Sequence, residues 1–344
     1  MSCEQIEEIE YAQIEPTTRC NFTCGFCCGR KMEQRSLPFE TFCAAIERFP
    51  NLKHIELQGE GEPLLHPDFF RMTKFARDRG IKVSTITNGS LLGVRDNVPK
   101  LLELGLEKIS ISIESADAVQ FGKIRGGKLE SLIAGVTSLL TERNARSLSR
   151  PLVDFAVTVL ESTIDSYPAI VDLYLKLGMD GGINTQLLQR MGGYVVNYSA
   201  ELQANLVSPE SAARFQALRL EGEMRIGAPA KVGFYKELFK ERTTELNICP
   251  WLERGTYLAA DGKMTPCCKI KDTTKHSYGD VLDLSLDYHR KMRESMRADL
   301  HRGIIPPTCT GCSGVEHFRG LPDRFGKARR HEIAESSTIP LTKP

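Results

Sequence analysis

Three cysteines near the amino end of the chain have a spacing that suits metal chemistry. Cys20, Cys24 and Cys27 stand at C-x3-C-x2-C spacing within one short segment. Three neighbouring thiolates can bind three irons of a four-iron, four-sulfur cube and leave the fourth iron open to a chelating ligand. The alternative is a zinc loop or three incidental thiols. Cys28 directly follows Cys27, so it is poorly placed to complete a tetrahedral zinc site.

A second group of cysteines lies in the last third of the chain. It comprises Cys249, Cys267, Cys309 and Cys312, and no cysteine occurs from residue 44 to 248. Two separate thiolate sites are therefore predicted. Taken alone, the second pattern suits a zinc ribbon as well as an iron-sulfur cluster.

Polar residues follow several predicted strands. Gly61-Glu62-Pro63 comes after the second strand and Asn88 after the third, while Ser110, Ser112 and Glu114 end the fourth. Strand alternation places the last three on one face. Arg125 could neutralise a carboxylate, although most single arginines only solvate a surface.

Strand, turn and amphipathic helix alternate between the two cysteine groups. The predicted strands are 10–18, 53–58, 81–87, 107–114, 152–159 and 182–188. The predicted helices are 38–49, 67–79, 95–104, 128–144 and 165–177, with Gly80, Gly105 and Gly178 near the ends of three of them. Six βα units predict a parallel sheet, and they are too few for a closed eightfold barrel. The expected fold is α/β, a partial (β/α)6 TIM-like barrel with chemistry at the carboxyl ends of the strands.

Composition excludes some classes of protein. The chain has 344 residues, with 45 Lys and Arg against 44 Asp and Glu, which argues against nucleic-acid binding through a broad basic surface. It has no apolar run of about 18 residues and no basic export signal, so we expect a cytoplasmic protein without a membrane partner. In a reducing compartment its 11 cysteines indicate metal binding rather than disulfides.

The cysteine loop and the motifs after the next strands resemble those of radical S-adenosylmethionine (SAM) enzymes, over residues 11–190. The segment Leu57-Gln-Gly-Glu-Gly61-Glu62-Pro63 resembles the family's Gly-Gly-Glu-Pro element, with Glu60 in place of the first glycine. The resemblance implies that Cys20, Cys24 and Cys27 hold a 4Fe-4S cluster whose open iron chelates SAM. One electron then cleaves SAM to methionine and a 5′-deoxyadenosyl radical, which abstracts a hydrogen atom from the substrate.

The same resemblance assigns SAM-binding roles to residues after the strands. Gly61 would let the backbone approach the methionine moiety, and Glu62, preferred to Glu60, would accept hydrogen bonds from its ammonium group. The further SAM-binding residues it implies are Asn88, Ser112, Glu114 and Arg125.

The second cysteine group resembles the SPASM and twitch extensions of a radical SAM subgroup. Gly262 precedes Cys267 at G-x4-C spacing, and Cys309 and Cys312 follow as C-x2-C. Because no cysteine follows Cys312, the one-cluster twitch form is the better match. The resemblance favours a second, auxiliary 4Fe-4S cluster over zinc, with electron transfer as its expected task because four thiolates leave no iron for substrate.

Two other cysteines have different expectations. If strand alternation continues past Cys267, the side chain of Cys268 points away from the cluster and is buried. The alternative is that Cys268 donates a hydrogen atom to a substrate radical. Cys43 lies on the apolar stripe of the first predicted helix and is expected in the core.

The predicted function is that of a radical SAM oxidoreductase or epimerase. It would oxidise (dehydrogenate) or epimerise a small polar substrate such as an aminocyclitol, sugar or antibiotic precursor. The first strand begins near residue 10, which leaves no room for an N-terminal leader-binding domain and disfavours a maturase of ribosomally made peptides. That maturase is the alternative, and a zinc-stabilised binding protein is the alternative from another class. The expected partner besides substrate is an electron donor such as flavodoxin or ferredoxin.

Four regions are predicted along the chain. They are the radical SAM partial barrel (1–190), a helical bridge (191–248) with a helix starting at Pro209, the auxiliary-cluster domain (249–320) and a basic tail (321–344). Candidate walls of the substrate site are 184–198 and 230–257, which include Gln186, Gln189, Arg190, Tyr194, Tyr235 and Trp251.

Overall fold

A single mixed sheet organises the protein. The computed structural model describes residues 5–27, 31–188, 199–227, 234–238, 249–283, 285–312 and 315. Within these residues nine strands form a sheet in the order β6-β5-β4-β3-β2-β1-β7-β8-β9. The strands are β1 (Tyr11–Ile14), β2 (His54–Leu57), β3 (Lys82–Thr87), β4 (Lys108–Ser112), β5 (Leu152–Val159), β6 (Ile183–Leu187), β7 (Gly255–Leu258), β8 (Lys263–Thr265) and β9 (Gly279–Asp280).

Strands β1 to β6 are all parallel, as the sequence predicts. Alternating residues separate the two faces of each strand. In β4, Ile109 and Ile111 are fully buried in the apolar core, whereas Ser110 and Ser112 face a central cavity. The α/β fold and its partial TIM-like barrel are confirmed.

Helices cover the apolar face of the sheet. They are α1 (Phe39–Arg48), α2 (Phe69–Arg77), α3 (Asn97–Glu103), α4 (Ala118–Arg125), α5 (Leu129–Ala145), α6 (Tyr167–Leu177), α7 (Ala200–Ala204), α8 (Pro209–Ile226), α9 (Phe234–Leu238), α10 (Pro250–Arg254) and α11 (Leu286–His301). Gly80, Gly105 and Gly178 have positive φ near the ends of α2, α3 and α6, as expected. The start of α8 at Pro209 also matches, and Cys43 on α1 packs against the core. None of the described helices is long and apolar enough to cross a membrane.

Two of the longer helices were missed by the sequence patterns. Helix α4 contains Gly122 and buries only Phe121 and Arg125, so its apolar periodicity is weak. Helix α11 buries His289 and Arg293 beside Met296 and Leu300. Polar residues on its inward face hide the apolar stripe that usually identifies an amphipathic helix.

The segment after residue 249 continues the barrel sheet. Strand β7 pairs in parallel with β1, and β8 pairs with β7 in the antiparallel direction. Strand β8 ends at Thr265, so Cys267 and Cys268 lie beyond it. Strand alternation therefore does not set the direction of the Cys268 side chain. The division of the chain into four regions stays a prediction.

Arg293 ties helix α11 to the start of β7. Its side chain is completely buried, and its guanidinium donates hydrogen bonds to the carbonyl oxygens of Gly255 (2.8 Å) and Leu252 (2.6 Å). Cys249 caps the amino end of the adjoining helix α10. The buried arginine thus anchors the segment that carries a cysteine of the second group.

We expect Arg293→Leu to destabilise the protein by about 2–4 kcal/mol, because the substitution leaves buried carbonyl groups without their donor. Chemical denaturation would measure the change in unfolding free energy. Arg290→Leu on the exposed side of the same helix is the matched control and should change it by less than about 0.5 kcal/mol. Equal effects of the two substitutions would contradict an anchoring role for Arg293.

Candidate active site

A cavity of about 460 Å³ opens at the carboxyl ends of the parallel strands. Residues from all six parallel strands line it, and the segments that follow β1, β2 and β3 form much of its rim. This is the edge of the sheet at which the sequence predicted the chemistry. Most of the motif residues named above meet here.

The three loop cysteines all line this cavity. Their segment is fixed by the turn after α4, because the Thr23 N–H donates to the carbonyl oxygen of Arg125 at 3.0 Å. Burial raises the pKa of the Cys24 thiol, and the nearby Arg125 guanidinium opposes that shift. The Cys27 thiol lies 3.3 Å from a Glu60 carboxylate oxygen.

This donor set fits an iron-sulfur cube. Among the described residues, no group of three or more His, Cys, Asp and Glu side chains is gathered closely enough to hold one metal ion. Each corner iron of a cube takes its own thiolate, so three thiols on one cavity wall match its requirement. Cys20, Cys24 and Cys27 would hold the group, with the cavity on its open side.

Glu62 is held inside the protein by three hydrogen bonds. Its carboxylate accepts from the Thr87 hydroxyl and the Asn88 N–H, each at 2.7 Å, and from the Leu64 N–H at 3.1 Å. Burial raises the pKa of Glu62, and these donors counteract the shift. Glu62 lines the cavity but also fixes the ends of β2 and β3, and its role as a SAM ligand stays a prediction.

Gly61 is needed for a contact within the protein. A Cβ atom at this position would lie 2.3 Å from the Thr17 carbonyl oxygen and 2.5 Å from that of Arg19. The close approach is thus to the backbone that leads into the cysteine loop. The sequence motif predicted a close approach to the SAM methionine moiety, which these contacts do not test.

Asn88 supports the cysteine loop from β3. Its side-chain amide donates to Asn21 Oδ1 at 2.9 Å, while its carbonyl accepts from the Ser90 hydroxyl at 2.7 Å. The Asn21 amide in turn donates to Ser90 at 2.9 Å. Two polar side chains, Asn88 and Ser90, therefore hold Asn21, the residue that follows Cys20.

Glu114 and Arg125 form a buried pair. The guanidinium donates to both carboxylate oxygens of Glu114, through Nε to Oε2 and through Nη2 to Oε1, the latter at 3.0 Å. Burial acts to lower the pKa of Arg125, but the Glu114 carboxylate outweighs burial and raises it. Arg125 and Ser112 line the cavity, whereas Glu114 lies behind Arg125, outside the described cavity wall. Glu114 therefore positions Arg125 near Cys20 and Cys24.

The cavity floor contains charged residues that sequence reasoning did not select. Glu56 on β2 and Lys108 on β4 line it, and Lys108 forms an ion pair with Asp154 of β5. Burial raises the pKa of Glu56 to about 8, with Lys108 opposing and Asp154 adding to the shift. The available signal was a charged residue at an inward position of an otherwise apolar strand.

A second missed residue connects the rim to the C-terminal segment. Lys271 forms an ion pair with Glu60, the residue whose carboxylate also contacts the Cys27 thiol. Both side chains line the cavity. Glu60, which stands where the family's motif has a glycine, therefore joins the cysteine loop to the segment after β8.

The four cysteines of the second group lie near one another. Burial raises the pKa of Cys309 to about 12, with Cys249 and Cys312 contributing to the shift. Burial also raises the pKa of Cys267, and its neighbours Cys249 and Cys309 again contribute. Cys249 packs with Cys267 on one apolar cluster and with Cys309 and Cys312 on another. Four thiol donors that are close together but not gathered around one point suit an iron-sulfur cluster, in which each iron takes one thiolate.

Cys268 lines the cavity beside Tyr235, although the two residues are far apart in the sequence. Its thiol is hydrogen-bonded to the Tyr235 hydroxyl, which also donates to Gln13 Oε1 at 2.6 Å. Burial raises the pKa of the Cys268 thiol to about 11. The prediction that Cys268 points away from the second cysteine group rested on strand alternation, which does not extend past the end of β8, so it stays a prediction.

The other wall candidates are only partly described. Gln186 and Tyr235 line the cavity. Trp251 instead packs on Phe234 and Tyr235, with ring centroids 5.8 and 6.3 Å apart, and lies behind the described wall. Gln189, Arg190 and Tyr194 lie outside the described residues.

Comparison with known proteins identifies the barrel. Residues 14–174 match the Radical SAM superfamily, so this part of the chain is a radical SAM domain, and membership of that family implies SAM and a 4Fe-4S cluster as cofactors. A tungsten-containing aldehyde ferredoxin oxidoreductase cofactor-modifying protein from Pyrococcus furiosus is 25% identical over 332 residues, covering 89% of this chain and 87% of that protein. GTP 3′,8-cyclase 1 of Pseudomonas aeruginosa is 31% identical over 187 residues, which are 51% of this chain and 54% of the cyclase.

Solved structures share the fold at low sequence identity. Streptococcus suis SuiB bound to the precursor peptide SuiA gives a TM-score of 0.66 at 14% identity, covering 86% of this chain and 68% of that one. The protein anSMEcpe with AdoMet and a peptide gives 0.61 at 16% identity, covering 88% and 86%. These likenesses concern the fold alone.

Gly61→Ala should destabilise the protein by about 1–3 kcal/mol, because the added Cβ overlaps the backbone of Thr17 and Arg19. Unfolding midpoints in denaturant would measure the loss. Gly25→Ala in the same loop is the control, since a Cβ there meets nothing within 4 Å. If both variants unfold at the wild-type midpoint, the close contact is not a constraint on this loop.

Proposed function

We propose, from the premise that residues 14–174 are a radical SAM domain, that this chain epimerises a small polar substrate by hydrogen-atom abstraction and return. The observation that carries the proposal is the position of Cys268. Its thiol faces the same cavity as the three cysteines of the loop. A hydrogen atom would therefore be abstracted from the substrate on one side of the cavity and returned to it from another side.

The loop cysteines and their neighbours would hold the cofactors. Cys20, Cys24 and Cys27 would bind the cluster, which together with SAM supplies a 5′-deoxyadenosyl radical. Arg125, held by Glu114, would lie beside the thiolates and offer positive charge to the SAM carboxylate. Glu62, Asn88 and Ser112 are the further residues we assign to SAM.

The hydrogen balance assigns a defined role to Cys268. With SAM and the cluster bound, the substrate would lose one hydrogen atom to the 5′-deoxyadenosyl group, which would leave as 5′-deoxyadenosine. The Cys268 S–H bond then breaks and a C–H bond forms on the opposite face of the substrate carbon. The resulting thiyl radical would return to the thiol by taking one electron from a one-electron reductant, such as flavodoxin or ferredoxin, and one proton from solvent. The substrate is isomerised without net oxidation.

Dehydrogenation is the second candidate, and the neighbouring cysteine group favours it. Cys267 is adjacent in sequence to Cys268, and Cys249, Cys309 and Cys312 lie close to it. We assign an auxiliary 4Fe-4S cluster to these four thiols, where it would supply a one-electron acceptor beside the cavity. A substrate radical that loses one electron and one proton then becomes the oxidised product.

The cavity floor supports a small polar substrate. Amide and hydroxyl side chains project into it from five strands or their ends, and these are Gln13, Gln58, Ser110, Thr158, Asn184 and Gln186. Closely spaced hydrogen-bonding groups are suited to a compact molecule with several hydroxyl or amino groups.

Anaerobic reconstitution should give about eight irons and eight sulfides per chain, because two cubes are assigned. With dithionite and SAM, the protein should then form 5′-deoxyadenosine and methionine. A triple Cys20, Cys24 and Cys27→Ala variant should lose about four irons and this reaction. Cys309→Ala should lower the iron content while retaining SAM binding. Zinc without sulfide, or intact SAM in the wild type, would refute the proposal.

Replacement of Cys268 separates the two fates of the substrate radical. In D2O with the natural substrate, wild-type epimerase should place one deuterium in each product molecule, because the thiol exchanges with solvent. Cys268→Ala should still form 5′-deoxyadenosine but reduce the epimeric product to background. Cys43→Ala, a half-buried cysteine outside the described cavity wall, is the control. An oxidised product that forms equally in both variants would favour dehydrogenation instead.

A further inference from the structure

Glu56 is an unusual member of the cavity wall. Only 3% of the surface of Glu56 is accessible, and the residue lines the cavity from β2. Among the described residues it has neither a hydrogen bond nor an ion pair. The other two carboxyl groups of the described wall are both engaged, Glu60 by Lys271 and Glu62 by three donors.

A buried carboxyl group without a partner costs free energy. Such a group is retained at a site when a ligand supplies the missing interaction. The residues at the same level of neighbouring strands, Gln13 on β1 and Ser84 on β3, are neutral. Neither neighbour therefore supplies a charge to pair with Glu56, which lines the cavity.

The charges around Glu56 favour a cation. Lys108 on β4 is neutralised by Asp154 on β5, which also accepts a hydrogen bond from Asn184 on β6. Tyr235 also faces Glu56, and burial raises its pKa, so its hydroxyl stays neutral. Lys108 is already paired with Asp154, so a positively charged ligand would give Glu56 an ion pair of its own.

We propose that Glu56 binds a protonated amine of the substrate and makes this enzyme selective for amino-bearing over hydroxyl-bearing molecules. The inference rests on the proposed function, since it takes this cavity to be the substrate site. It narrows the substrate class to small polar amines. Glu56 is thus a specificity-determining residue on the floor, separate from the thiols that do the radical chemistry.

Binding would be coupled to release of a proton. Burial raises the pKa of Glu56 to about 8, so the empty site holds the acid form at pH 7. An incoming ammonium ion pairs with the carboxylate, and the carboxyl proton leaves to solvent. Affinity should therefore increase about fiftyfold between pH 6 and pH 8 and level off above, because an alkylamine stays protonated up to about pH 10.

The test uses ethylamine and ethanol, a pair that differs in the amino group, with the reconstituted holoenzyme. Infrared difference spectra would follow the carbonyl band of the protonated Glu56 carboxyl, identified by its absence in Glu56→Gln. We expect ethylammonium to remove this band with a Kd of about 1–10 mM at pH 7, the range expected of so small a ligand. Ethanol should leave it unchanged. Glu103→Gln, at an exposed acid on α3, is the matched control and should respond as wild type.

Each outcome bears on the inference directly. Loss of the band with ethylammonium alone, and tighter binding at higher pH, would support it. An unchanged band, equal effects of ethylamine and ethanol, or an affinity independent of pH would overturn it. If Glu56→Gln folds poorly, Glu56→Asp, which keeps the acid and should shift its band, makes the assignment instead. SAM cleavage by the wild type, measured separately, reports on the proposed function, so the two failures are distinguishable.

Discussion

The contact between the cysteine loop and the strand ends is the constraint on which the site depends. Cys20, Cys24 and Cys27 lie in a segment outside the regular strands and helices, so other segments must set its shape. Gly61 packs against the backbone before the loop, and a Cβ at Gly127 would meet the Phe22 ring at 2.1 Å. These glycines occupy close contacts that a larger residue would disrupt. The direction of all three thiols follows from this packing.

Charge pairing is the second feature that shapes the cavity. Burying an isolated charge is expensive, and three pairs around this cavity avoid that cost: Glu114 with Arg125, Lys108 with Asp154, and Glu60 with Lys271. Each pair joins different elements of the chain. The same groups that make the cavity polar therefore also fix its walls relative to one another.

The barrel and the second cysteine group are connected by Glu15. One of its carboxylate oxygens accepts the Glu60 N–H at 2.7 Å, and the other accepts the Ala260 N–H at 3.1 Å. Burial raises the pKa of Glu15 to about 7, with the Ala260 N–H opposing the shift. Strands β1 and β7, which lead to Glu15 and Ala260, also pair with each other. This connection would hold Cys268 and the loop thiols at fixed positions around one cavity. Hydrogen-atom transfer to and from a substrate requires that the reacting groups be held in place.

The sequence by itself determined the six βα units, their helix-ending glycines and the cysteine spacings, because these depend on local periodicity, backbone conformation and ligand number. It missed α4 and α11, whose inward faces carry polar residues or glycine. Only the tertiary structure decided that Cys268 faces the cavity and that Glu114 supports Arg125. It also decided that Glu56 lies on the floor without a described partner. These properties depend on contacts between residues far apart in the chain, and no local pattern encodes which of them meet.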